Sequence, residues 1–204
     1  MKANLYNLIA RAAALPVTLD EVKTALRWPL ADTSQDDYFT LLIESAQESF
    51  EAWTGRTLIQ AQYETFRDCW EDFYILERAD YDPEGTVAIE YTTDTATETL
   101  PTTQYDIARR IPYAKLYFLG LDTEADLKDG YDRIRITFYA GFGDESTDIP
   151  ADIKLGLLNH ISAMYFNRGD CGASGDCGAC PLPAETQKTY RQYRIPITDC
   201  AIIL

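Results

Sequence analysis

A chain of 204 residues, with 33 acidic and 18 basic side chains and a net charge of −15, can bury a substantial core as one large domain or as a helical domain with a β insertion; two unrelated domains would be cramped. The acidity argues against wrapping nucleic acid, because phosphate binding needs neutralising Lys and Arg, yet it permits a surface past which DNA slides without sticking. No run of 18 apolar residues is present, so no membrane span is expected, and the odd set Cys69, Cys171, Cys177, Cys180 and Cys200 fits free thiols in a reducing compartment.

Residues 4 to 14 predict a short amphipathic helix, with Leu5, Leu8, Ile9 and Ala12 on one side and Pro16 ending it. Asn4, Asn7 and Arg11 interrupt its apolar part, which argues against an export signal and for a chain kept in the cytoplasm. Thr18 and Glu21, three apart, form a capping box for a second helix, with Val22, Ala25 and Leu26 on its apolar side and Pro29 closing it after Trp28. The helix between Ser34 and Leu58 organises the rest. Tyr38, Leu41, Leu42, Ala46, Phe50 and Trp53 recur every three or four residues and predict its core stripe. Ser34 is its expected N-cap, Asp36 and Asp37 favour the positive end of its dipole, and Gly55 allows it to stop.

Beyond residue 58 the pattern turns to strands: QYETFRDCW, DFYILE, VAIEY, QYDIA, AKLYFL and RIRITFYAGF, where Ile134, Ile136 and Phe138 alternate with polar neighbours. Asp80, Asp82, Pro83 and Gly85 read as a turn, and the polar tract Thr92 to Thr103 as an exposed hairpin or loop. Helical spacing returns after Pro150 through Ile153, Leu157, Leu158, Ile161, Met164 and Tyr165 until Gly169. A glycine- and cysteine-bearing loop covers 169–182, Pro183 opens a shorter helix, and Pro196 ends it before an apolar tail. No internal repeat is present. The expected class is α+β: an antiparallel helical bundle, with helices at about 4–57 and 150–195, and an inserted small antiparallel sheet or barrel at about 58–143. The stripes at 38–53 and 153–165 are expected to pack on each other.

Few residues point to chemistry. Cys171, Cys177 and Cys180, with Cys200 or Asp176 as a fourth ligand, are metal candidates, but structural zinc shows two pairs; free thiols on a surface loop fit better, and disulfide formation after release from the cell is the third alternative. Asp122, Glu124 and Asp126 imitate the start of a calcium loop, yet Leu127 and Arg133 stand where that loop needs Gly and Glu. Gly141 and Gly143 are followed by Asp144 and Glu145, which disfavours a phosphate loop and leaves a turn from strand to helix. His160, the single histidine, lies beside an apolar stripe with no nucleophile motif and reads as a packed histidine. No serine-elbow, kinase or HExxH pattern occurs, so neither an enzyme nor a cofactor is expected. Of the 14 Tyr, 8 Phe and 3 Trp some belong to the core, but so many Tyr and Trp are also what permanent interfaces use, and self-association is expected.

A series of motifs resembles the head–tail connector proteins of tailed bacteriophages, the adaptor or head-completion family. They are Pro16-Val17-Thr18-Leu19-Asp20-Glu21-Val22-Lys23, Asp36-Asp37 through Ile43-Glu44-Ala46, Trp53-Thr54-Gly55-Arg56-Thr57-Leu58, Tyr139-Ala140-Gly141-Phe142-Gly143, Ile149-Pro150-Ala151-Asp152-Ile153-Lys154 with Leu157-Leu158, and Tyr165-Phe166-Asn167-Arg168. The loop at 169–182 and the tail after Pro196 depart from the pattern. The resemblance implies a single connector domain over 1–204 and a non-enzymatic ring in the virion neck, typically of twelve copies and assembled in the host cytoplasm. Such a ring joins the portal protein to the next tail or stopper protein and lets DNA pass. For the portal contact the expected residues are Ile197, Ala201, Ile202, Ile203 and Leu204, an apolar tail too short to form its own core; the alternative is that it folds back on its own bundle. The alternatives are a tail-completion or terminator ring and a metal protein built on the cysteine loop.

Overall fold

The computed structural model describes residues 6–76, 87–110, 113–120, 127–167 and 182–195. These form a mixed α+β chain whose strands and helices fall into two compact units: Gln60–Gly143 with the first strand, and Ala13–Ile59 with Asp144–Arg194.

In the strand unit, β1 (Asn7–Arg11), β2 (Ala61–Arg67), β8 (Ile134–Ala140), β4 (Ala88–Thr92) and β5 (Thr97–Thr99) form one antiparallel sheet in that order. The strands β3 (Phe73–Leu76), β7 (Tyr113–Phe118) and β6 (Tyr105–Arg110) form a second. The expected single small sheet or barrel is therefore two sheets, and among the described residues neither closes on itself. Alternation explains the pairing. Ile134, Ile136, Phe138 and Ala140 of β8 point inward, and the register sets Tyr63 opposite Phe138 and Ile89 opposite Ile136. Both sheets give side chains to one core, in which the Trp70 ring lies 5.2 Å from Phe118 and 5.6 Å from Tyr91. The Thr-rich tract from Thr92 holds the β4–β5 hairpin, whose turn is closed by Thr93 donating to and accepting from Ala96.

The described part of residues 4–14 does not form the expected helix: it pairs with β2 as β1. Leu8, Ile9 and Ala10 are all exposed, so the strand is held by backbone ladder bonds at the sheet edge and leaves no period-two burial in the sequence. The chain leaves this unit at Ala12, Gln60 and Gly143. The Ala12 amide donates to the Gln60 carbonyl at 3.0 Å, and the Gln60 amide to that of Gly143 at 2.7 Å. Gly141, at φ 137°, makes the turn out of β8 that its neighbours could not make without strain.

In the helical unit, α1 (Leu19–Ala25) starts at the expected capping box: Thr18 N–H donates to Glu21 at 2.7 Å and Glu21 N–H to the Thr18 hydroxyl at 3.2 Å. It stops at Leu26, earlier than Pro29, because Arg27 turns left-handed at φ 55° and the Trp28 amide reaches back to the Lys23 carbonyl. The long helix α2 (Asp36–Thr54) ends at left-handed Gly55 as expected, while its N-cap is Gln35, because Ser34 turns its own amide to Asp32. Its buried stripe is Phe39, Leu42, Ile43, Ala46, Gln47, Phe50, Glu51 and Thr54. Leu41 is 58% exposed, and Tyr38 and Trp53 are only half-buried, so the core face is rotated from the one their spacing predicts. The helices α3 (Ala151–Phe166) and α4 (Ala184–Tyr193) follow Pro150 and Pro183. The early and late stripes do pack: Tyr165 of α3 lies 5.8 Å from Phe39, and Tyr190 of α4 meets Phe50 edge to face at 4.9 Å.

Candidate interaction surfaces

The motif Trp53-Thr54-Gly55-Arg56-Thr57-Leu58 becomes a buried polar junction at the end of α2. The Thr54 hydroxyl donates to the Phe50 carbonyl at 2.8 Å and accepts from the Arg56 amide at 3.2 Å. One Glu51 oxygen accepts from the Gln47 amide group at 3.0 Å and from the Leu58 N–H at 3.2 Å. Arg56 is also buried, and its Nε donates to the Tyr193 carbonyl, a cation against the negative end of the α4 dipole. Burial lowers the Arg56 pKa, although the group stays charged at any ordinary pH. The Arg194 guanidinium lies 5.6 Å from the centre of the Trp53 ring, and the Tyr193 hydroxyl donates to Asp152 at 2.8 Å. Burial and the Asp152 contact push the Tyr193 hydroxyl up to about 12. This junction ties α2 to α4.

His160 is packed as expected. It is buried in α3 with Nδ1 3.3 Å from the Tyr190 hydroxyl, and burial lowers its pKa. Lys23, which the sequence placed only in a motif, is buried 2.6 Å from Asp36 and donates to the Leu30 carbonyl, tying α1 to the start of α2. Cys69 is an exposed free thiol. Among the described residues no group of three or more His, Cys, Asp or Glu is placed to hold a metal, and no helix is long and apolar enough to cross a membrane. The metal candidates Cys171, Cys177, Cys180, Asp176 and Cys200, the acids Asp122, Glu124 and Asp126, and the portal-contact residues Ile197, Ala201, Ile202, Ile203 and Leu204 lie outside the described residues.

The described surface offers contacts of two kinds. In the strand unit, Phe73 and Tyr117 sit opposite each other on β3 and β7 with rings 5.9 Å apart, both partly exposed, and the Lys115 ammonium lies 4.7 Å from the Phe73 ring. In the helical unit, Leu41, Leu155 and Phe166 are 58%, 60% and 69% exposed. Exposed aromatic and aliphatic side chains in a rim of charge are the composition of association surfaces.

No protein-family model matches the chain, and no curated protein matches it. Solved structures do. A chain in the neck of an empty gene transfer agent particle, computed with C6 symmetry, matches with a TM-score of 0.74 at 17% identity, over 93% of this chain and 94% of that one. A chain in the virion of a native gene transfer agent particle matches at 0.73 with 19% identity, over 93% and 95%. Another, in the neck of the native particle computed with C12 symmetry, matches at 0.68 with 20% identity, over 93% and 94%. The chain therefore shares its fold with chains in the neck and virion of gene transfer agent particles.

Proposed function

We propose that this chain is a structural protein of a virion neck that forms a ring, joins the portal vertex of the head to the tail or stopper protein, and lets DNA pass through its centre. The observation that supports this most is a fold shared along 93% of the chain with proteins in particle necks, two of them described with C6 and C12 symmetry. In this reading residues 1–204 act as one connector domain, whose helices form an antiparallel bundle around the junction of Glu51, Arg56 and Tyr193. The net charge of −15 per copy then acts on the cargo, because duplex DNA carries about one negative charge per 1.7 Å of axis and a lumen of like sign would not hold it.

The portal contact is assigned to Ile197, Ala201, Ile202, Ile203 and Leu204, which follow a helix-ending proline and are apolar enough to be ordered by a partner's groove or sheet edge. Electron microscopy of the purified protein, alone and mixed with portal protein, tests the reading. Rings that dock on portal are expected. A chain that stays monomeric alone and in the mixture contradicts it.

A further inference from the structure

The outward side of α4 runs against the acidity of the chain. Ala184, Lys188, Arg191 and Gln192 are exposed there and, with Gln187, line one shallow depression. Lys188 and Arg191 are three residues apart and share one stripe. Glu185 lies at its margin in the first turn. Neither base has an ion-pair partner among the described residues. The outward side of α2 carries the opposite sign: Asp37, Glu44 and Glu48 are exposed along one stripe without a base, none is paired among the described residues, and Leu41 stands between them, 58% exposed.

These two stripes cannot meet within one copy. Phe50 and Tyr190 occupy the contact between α2 and α4, so both stripes face away from it. Their spacings match: Glu44 and Glu48 are about 6 Å apart along their axis and Lys188 and Arg191 about 4.5 Å apart along theirs, within reach of long side chains.

We propose that the α4 stripe of one copy docks on the α2 stripe of the next, with Lys188 and Arg191 opposite Glu44 and Glu48 and Leu41 covered by Ala184 and the methylenes of the basic side chains. Each copy presents one surface and accepts the other, the heterologous contact from which a closed ring is built. The charge fixes register and excludes the wrong pairing, acidic stripe on acidic stripe. This inference deepens the ring reading and rests on it.

The test is charge reversal in the full chain, with assembly followed by sedimentation velocity at low and high salt. The pair Lys188→Glu and Arg191→Glu, and separately Glu44→Lys and Glu48→Lys, should each weaken assembly roughly tenfold or more. An equimolar mixture of the two variants should restore it, since every junction then pairs opposite signs. The chain carrying all four changes keeps the native net charge and should also assemble. Wild-type assembly should weaken with salt. Reversal variants that assemble like the wild type overturn the docking surface and leave the ring reading standing. So does loss of duplex DNA binding by the α4 variant with assembly intact, which makes the basic stripe a phosphate contact instead. A wild-type chain that never assembles sinks both.

Discussion

Glu51 is an acid whose position only its partners explain. Its carboxylate is buried and takes hydrogen bonds from Gln47 and from the Leu58 amide. Replacing it by Leu leaves both donors buried without this acceptor, at a cost of about 1–3 kcal/mol for each such group, whereas Glu51→Gln keeps an oxygen in place. Thermal denaturation should show a fall of roughly 2–4 °C per kcal/mol lost for Glu51→Leu and a smaller one for Glu51→Gln. His160 gives a pH signature. Because burial lowers its folded pKa below the ordinary 6.5, the unfolded chain binds a proton first as the pH falls, so its effect on stability is nil well above 6.5 and unfavourable below it. The wild type should lose more thermal stability between neutral pH and mildly acidic pH than His160→Phe does. Equal losses would show that His160 is not held neutral. Arg27, at φ 55°, predicts the opposite sign to most substitutions: Arg27→Gly should raise stability by about 0.5–1 kcal/mol in chemical denaturation.

At the scale of elements, Gly156 sets how closely α3 approaches α4. A Cβ there would lie 3.4 Å from both Thr189 Cγ2 and Tyr190 Cε1, ordinary contact for a methyl and no room for more. Gly156→Ala should therefore change stability by less than about 1 kcal/mol, helped by the helix propensity of Ala, while Gly156→Leu should cost about 1–3 kcal/mol as α4 is pushed away. Both are read from urea unfolding. The same elements show what the sequence discloses. The strand β8 was legible because Ile134, Ile136 and Phe138 face one buried side, and the ends of α2, α3 and α4 because Gly55, Pro150 and Pro183 leave the backbone few options. The strand β1 was not, because the spacing of Leu5, Leu8, Ile9 and Ala12 in the sequence imitates a helical stripe, whereas within β1 the apolar Leu8 and Ile9 are both exposed. The face of α2 was misread for the converse reason. Gln47, Glu51 and Thr54 hold buried positions as hydrogen-bonded polar groups, while Leu41 lies outside. The signal for them was the four-residue step Phe39, Ile43, Gln47, Glu51, which passes from apolar to polar on one line.

For the whole molecule, the connector motifs were legible as a series, yet their physical content was not. Trp53 to Leu58 forms a hydrogen-bonded junction of α2 with α4, and in the proposed ring the contact between copies falls to exposed stripes, of which the motif through Asp37 and Glu44 marks the one on α2 and no motif marks the one on α4. Deleting residues 197–204 should leave the melting temperature of the described core almost unchanged and abolish joining to portal-containing heads; normal joining by the truncated chain would remove the tail from the portal contact. The measurement that bears most directly on the central claim is a cryo-electron reconstruction of the neck of a particle carrying this protein. This fold is expected there, repeated in a closed ring between portal and tail, around the DNA path. A neck reconstructed without it, or the chain found elsewhere in the particle, would contradict the claim.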